Sequence, residues 1–117
     1  MANFQQLDVY KVAQEYIKEI YQITKSYPKD EKYGLIDQIR RATVSIAANI
    51  AEGCGRYHPK DFTQFLRIAR GSSYEVIALL DASLNLEYLN KKDHDALYTK
   101  AERINMMLNG LINSVKK

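Results

Sequence analysis

Apolar residues recur three and four positions apart through most of this chain and nowhere alternate singly over a strand's length, so the pattern predicts helices and no sheet. Three polar or turn-rich breaks divide it, YPKDEKYG (Tyr27 to Gly34), GCGRYHP (Gly53 to Pro59) and LNKKD (Leu89 to Asp93). In the first segment Val9, Val12, Ala13, Tyr16, Ile17, Ile20, Ile23 and Tyr27 share one face, and Lys11, Glu15, Lys18, Gln22 and Lys25 line the opposite one. The second turns Ile36, Ile39, Thr43, Ile46 and Ile50 inward and is expected to stop at Gly53-Cys54-Gly55, where glycine can take the left-handed conformation. The third starts near Pro59 and buries Phe62, Phe65, Leu66, Ala69, Ser73, Val76, Leu80 and Leu84. Asn90 can cap the fourth, whose stripe is Leu97, Ala101, Ile104, Leu108, Leu111 and Val115. Helices of this length are rods of roughly 30 to 45 Å, and short connections make sequential rods antiparallel. The expected fold is therefore all-α, an up-down-up-down four-helix bundle forming one domain over residues 1–117.

The second helix breaks the usual amphipathic pattern. From Ala42 to Ala51 ten residues pass without a charge. On a helical wheel Arg41, Ser45, Ala48 and Glu52 fall opposite the isoleucine stripe with Val44 beside them, and Asn49 lies nearby. Such a small, uncharged outer face suits a protein-protein contact in which Arg41 and Glu52 set the register. The plainer alternative is alanine serving as a good helix former on a solvent face. Contact is the preferred reading, because Val44, Ala47 and Ala51 leave the middle of the helix without a solubilising charge.

In the third helix Gly71, Ser72 and Ser73 interrupt bulkier residues, which implies a close approach of something there. Glu75 shares an edge with Ile68, Leu79 and Ala82. It is expected either to be half-buried and paired with Arg40 or Arg41, the Arg41 to Glu75 ion pair being the test case, or to be solvated at the rim.

Charge adds location rather than magnitude. The formal net charge is only +3, yet Arg56, Lys60, Arg67 and Arg70 face Asp61 alone within the segment 56–70, which carries the whole excess. Lys60, Arg67 and Tyr74 repeat at seven residues and share a face, flanked by Arg70, with Arg56, Tyr57 and His58 in the preceding turn. Cations beside a stacking ring fit a polyanion site for RNA or DNA, read through shape and phosphate; a solvated basic face is the alternative. No uncharged apolar run reaches the roughly 18 residues of a membrane span, no secretory leader pattern opens the chain, and the single Cys54 cannot form an internal bridge, so a cytoplasmic protein is expected.

Signs of catalysis are few. The Glu-x-x-His, His-Glu-x-x-His and paired Cys-x-x-Cys spacings are absent, so no metal site and no cofactor are expected. Gly53-Cys54-Gly55 lacks the Lys-Ser/Thr of a phosphate loop. Cys54 with His58 lacks a third orienting group, and His94 reads as a surface or capping residue. A non-enzymatic protein is the expectation.

The stretches EKYGLIDQIRRATVSIAANIAEGCGR and DFTQFLRIARGSSYE, with FQQLDVYKVAQ before them and LNGLINSV after, resemble the four-helix-bundle proteins encoded within intervening sequences of bacterial 23S ribosomal RNA genes, a family related to the accessory protein of diversity-generating retroelements. Gln38, Arg40, Arg41, Ser45, Ile46, Asn49, Ile50, Ala51, Glu52 and Gly53 carry the likeness, reinforced by Gly71, Ser72 and Glu75. The chain has Ala47 where the family often has Pro, and Tyr10 where it often has Trp. The resemblance implies a left-handed antiparallel bundle that assembles as a homopentamer, a ring with a central channel, and it implies no catalytic residues. Nucleic-acid binding is one implied role. A structural adaptor for a protein partner such as a reverse transcriptase is the other.

Overall fold

The computed structural model describes residues 3–56 and 58–116. Four helices, α1 (Asp8–Thr24), α2 (Leu35–Cys54), α3 (Pro59–Asn85) and α4 (Lys91–Lys116), form a bundle measuring 44 × 23 × 20 Å, with short 3-10 turns at Phe4–Gln6 and Lys29–Glu31. There is no strand among the described residues. The helices meet in cyclic order, α1 with α2, α2 with α3, α3 with α4 and α4 with α1, while diagonal pairs stay apart. Antiparallel register is visible in the contacts: Ser45 meets Ser72 and Gly53 meets Phe65 across the α2/α3 seam, and Arg70 meets Asn109 while Asp81 meets His94 across α3/α4.

The four inward stripes build one core. Tyr16, Ile20, Ile39, Ile46, Ile50, Leu66, Leu80, Ile104 and Leu108 are fully buried, and each large side chain of this kind contributes about 1.5–3 kcal/mol. Tyr16 lies wholly inside because its hydroxyl donates to the Leu97 carbonyl at 2.8 Å, and burial, with Glu19 nearby, pushes its ionisation well above the ordinary phenol range. Phe62, Phe65 and Leu84 of the expected α3 stripe are half-buried, at the rim of the core. Ala47 is buried within α2, which runs through it without a break.

α2 stops at Gly53-Cys54-Gly55 as expected, with Gly55 as its C-cap, but not through a left-handed glycine: Gly53 and Cys54 belong to α2, and none of the described glycines has a positive φ. Gly53 is needed for space instead, since a Cβ there would stand 2.8 Å from the Phe65 Cβ and 3.0 Å from the Phe62 ring. The close approach expected at Gly71 also fails, because a Cβ there would meet nothing; Ser72 and Ser73 make the contacts, to Ser45 and to the Ala101 carbonyl. Asn90 caps α4 as expected, its side chain accepting from the Asp93 N–H at 2.8 Å. The one positive φ among the described non-glycine residues, 63° at Glu87, closes α3. There the Tyr88 N–H donates to the Ser83 carbonyl and the Glu87 N–H to that of Leu84, the pairing of a Schellman turn.

Candidate functional site

Lys60, Arg67 and Tyr74 all lie exposed on the outer side of α3, as their seven-residue spacing requires. Lys60 and Arg67, with Pro59, Thr63 and Val115, border a groove of about 310 Å³ between the start of α3 and the end of α4. Arg70 is turned toward α4 and held by a 2.6 Å bond from its Nη1 to the Asn109 Oδ1. None of these three cations is paired with a carboxylate among the described residues. The helix beginning at Pro59 has no side-chain cap, so its free N–H groups add partial positive charge at the Lys60 end, where Asp61 is the acid of the first turn. Arg56 stands apart from this row, bonded to Glu52 at 3.2 Å and lying 5.0 Å over the Phe65 ring at the α2/α3 turn. Tyr57 falls outside the described residues.

Beyond Arg70 a second, separate groove lies between Tyr74, Ile77, Tyr98, Glu102, Asn105, Met106 and Asn109, enclosing about 290 Å³. Tyr74 is 57 % exposed and Met106 74 %, whereas Asn105 is 6 % exposed and its Oδ1 is buried with no hydrogen-bond partner among the described residues. Sequence reading missed Tyr98, Asn105 and Asn109, because polar residues on an otherwise amphipathic helix carry no mark of which neighbour they face.

The second group of residues divides. Arg41, Val44, Ala48 and Glu52 are exposed on the outside of α2, and Ile68 and Gly71 are exposed on α3 beside them. Ser45 and Asn49 are not on that outer face. The Ser45 hydroxyl meets the Ser72 hydroxyl at 2.9 Å, and Asn49 Nδ2 donates to the Ser45 carbonyl and hydroxyl, so both belong to the α2/α3 seam within one chain. The ion pair expected between Arg41 and Glu75 does not form in the chain. Arg41 bonds Asp37 one turn earlier at 2.9 Å, Glu75 is exposed, and Arg40 is committed to α1, donating to the Thr24 hydroxyl and the Tyr21 carbonyl and stacking 4.5 Å over the Tyr21 ring.

His94 is also other than expected. It is buried, with Nε2 at 2.8 Å from Asp81 of α3 and Nδ1 at 3.0 Å from Asp95, and stacks on Tyr98. The hydrogen bonds to Asp81 and then Asp95 raise its pKa above the usual histidine value, and those from Lys91 and then His94 lower that of Asp95. Cys54 is buried and free, and burial raises its thiol. His58 is exposed at the start of α3. Among the described residues no three His, Cys, Asp or Glu side chains converge to hold a metal ion, and no helix is long and apolar enough to cross a membrane.

No curated protein matches the chain significantly. A crystal structure of a protein of unknown function from the S23 ribosomal protein family of Bacteroides thetaiotaomicron superposes with a TM-score of 0.80 at 24 % identity, over 89 % of this chain and 97 % of that one, which establishes the shared fold. The family model for the 23S rRNA-intervening sequence protein matches residues 5–110, taking in all of α1, α2 and α3 and most of α4, and the chain belongs to that family.

Proposed function

We propose that this chain is a non-enzymatic cytoplasmic protein that binds RNA along the basic row of α3 and self-associates through the outer face of α2 and α3. The observation that carries the first part is the row itself. Lys60 and Arg67 border one groove and Arg70 is anchored at its side, all without a carboxylate partner among the described residues. Cations neutralised by neighbouring acids release little on meeting phosphate, whereas unpaired ones displace condensed counterions and bind with a steep salt dependence. Arg56 is a lesser contributor, because its pair with Glu52 must open first. Three or four phosphate contacts per chain hold RNA weakly, and several copies in one assembly multiply them.

Self-association is supported by Val44 and Ile68, which are 40 % and 44 % exposed, and by Ala48 and Gly71 between them, a surface of small and apolar side chains on which a neighbouring copy could approach closely. Five copies is the number the family likeness implies.

Binding of labelled RNA at two salt concentrations, beside light scattering on a sizing column, tests both parts. The triple variant Lys60→Ala, Arg67→Ala, Arg70→Ala is expected to lose most binding and to flatten the salt dependence by about three phosphate contacts' worth. Ala48→Glu is expected to dissociate the assembly. An intact chain that binds no RNA at low salt overturns the first part and leaves the adaptor for a protein partner; a monodisperse wild-type monomer overturns the second.

A further inference from the structure

We propose that the groove beside the basic row receives one unpaired base of a single-stranded RNA, stacked on Tyr74 and selected by Glu102 for an exocyclic amino group. The inference rests on the RNA reading above and deepens it. The row of cations ends beside this groove, since Arg70 is bonded to Asn109 and Asn109 is part of the groove wall. Tyr74 follows Arg67 by two helical turns on the same face, a rise of about 10 Å along the axis. A strand whose phosphates lie on Lys60 and Arg67 therefore runs toward Tyr74 and Tyr98.

The charge changes sign along this path. At the Lys60 end only cations face the groove, while at the Tyr74 end the charged wall is Glu102, which repels phosphate. What remains for that end is the uncharged part of a nucleotide. At about 290 Å³ the space sits at the lower edge of the ~300–1,000 Å³ typical of small-ligand pockets, enough for one ring system. The ring of Tyr74, 57 % exposed, offers a free stacking face.

Selection follows from hydrogen-bonding capacity. A carboxylate only accepts, so Glu102 pairs with a base that presents an amino group, as adenine, cytosine and guanine do, and disfavours uracil, whose single N3–H donor is flanked by two carbonyl oxygens that repel it. Asn105 in the groove wall is more than nine-tenths buried and its Oδ1, closed off from the surface, has no partner among the described residues, so a base in the groove reaches it only as the wall opens.

Fluorescence anisotropy with labelled oligo(A), oligo(U) and an RNA duplex, all of equal length, tests this on the full chain. The wild type is expected to bind oligo(A) about tenfold tighter than oligo(U), the scale of one base-edge contact, and about tenfold tighter than the duplex, the scale of one stacked base. Tyr74→Ala removes that advantage without changing the slope of affinity against salt; Tyr74→Phe retains it. Glu102→Gln, which can both donate and accept, equalises oligo(A) and oligo(U). Because Tyr74 and Glu102 are exposed, the thermal midpoint of each variant should match the wild type and so exclude misfolding. Equal affinity for oligo(A) and oligo(U), or a Tyr74→Ala variant that binds like the wild type, overturns the base site while the cation row, read by the salt slope, still stands. A wild type that binds none of the three at low salt overturns both.

Discussion

Gly53 and His94 show what one side chain decides in this bundle. Gly53 lets α2 and α3 approach until Phe65 fills the space a methyl group would need, and the same helix has four alanines where closeness is less demanding. His94 ties the end of α3 to the start of α4 through Asp81 and Asp95, in contact with Tyr98 and sharing the Asp95 Oδ1 with Lys91. Its pKa is raised in the folded state, so its contribution is complete below the unfolded value of about 6.5 and is lost as pH rises through the folded value. The pKa of Asp95 is lowered, so its contribution is present above about 3.9 and is lost as pH falls through the folded value. Urea unfolding should therefore show a stability advantage of wild type over His94→Gln between about pH 4 and 6.5 that shrinks on the alkaline side. A difference that grows from pH 6 to 9 would contradict this assignment.

The helices themselves were largely legible, because a period of 3.6 residues records which side is apolar whatever lies opposite. Ile36, Ile39, Ile46 and Ile50, or Leu97, Ala101, Ile104 and Leu108, needed no partner to be recognised as inward. A wheel does not say on which flank the next helix lies, and so Ser45 and Asn49 looked outward although α3 covers them. Nor does it fix the rotation of one helix against another, which is why Arg41 and Glu75 seemed matched. His94 reaches Asp81 across a turn, and that juxtaposition leaves no periodic trace. The turns hold further detail of this kind. Glu31 accepts from the Leu35 N–H with one oxygen and from the Tyr88 hydroxyl with the other, joining the start of α2 to the α3/α4 connection. In that connection Glu87 occupies the left-handed position at φ 63° where glycine fits without a Cβ penalty of about 1–2 kcal/mol. Glu87→Gly should stabilise the fold by about 0.5–1 kcal/mol, part of the relief being offset by the greater freedom of glycine in the unfolded chain, as measured by denaturant titration. Destabilisation would mean that the carboxylate, and not the turn geometry, is what the position requires.

At the scale of the whole molecule, the cations, the groove beside Tyr74 and the small-residue face all lie on α3 and its flanks, with α1 completing the core behind them. Gly71 follows Arg67 by one turn on the outer side of α3, so the cation row and the small-residue face adjoin there, while Arg70 turns to α4 and Ser72 to α2. The family likeness marked the α2 motif and the charge distribution marked the basic segment, but the groove depends on Tyr98, Asn105 and Asn109 of α4, whose rotation against α3 only the assembled bundle sets. The sheltered sulfur of Cys54, at the hinge where α2 gives way to α3, turns the protein into its own opening sensor. A thiol-disulfide reagent can modify it only when that corner breathes, so its capture rate under native conditions should fall well below that of the same reagent on the unfolded chain, and fall again when a strand of RNA clamps the neighbouring end of α3.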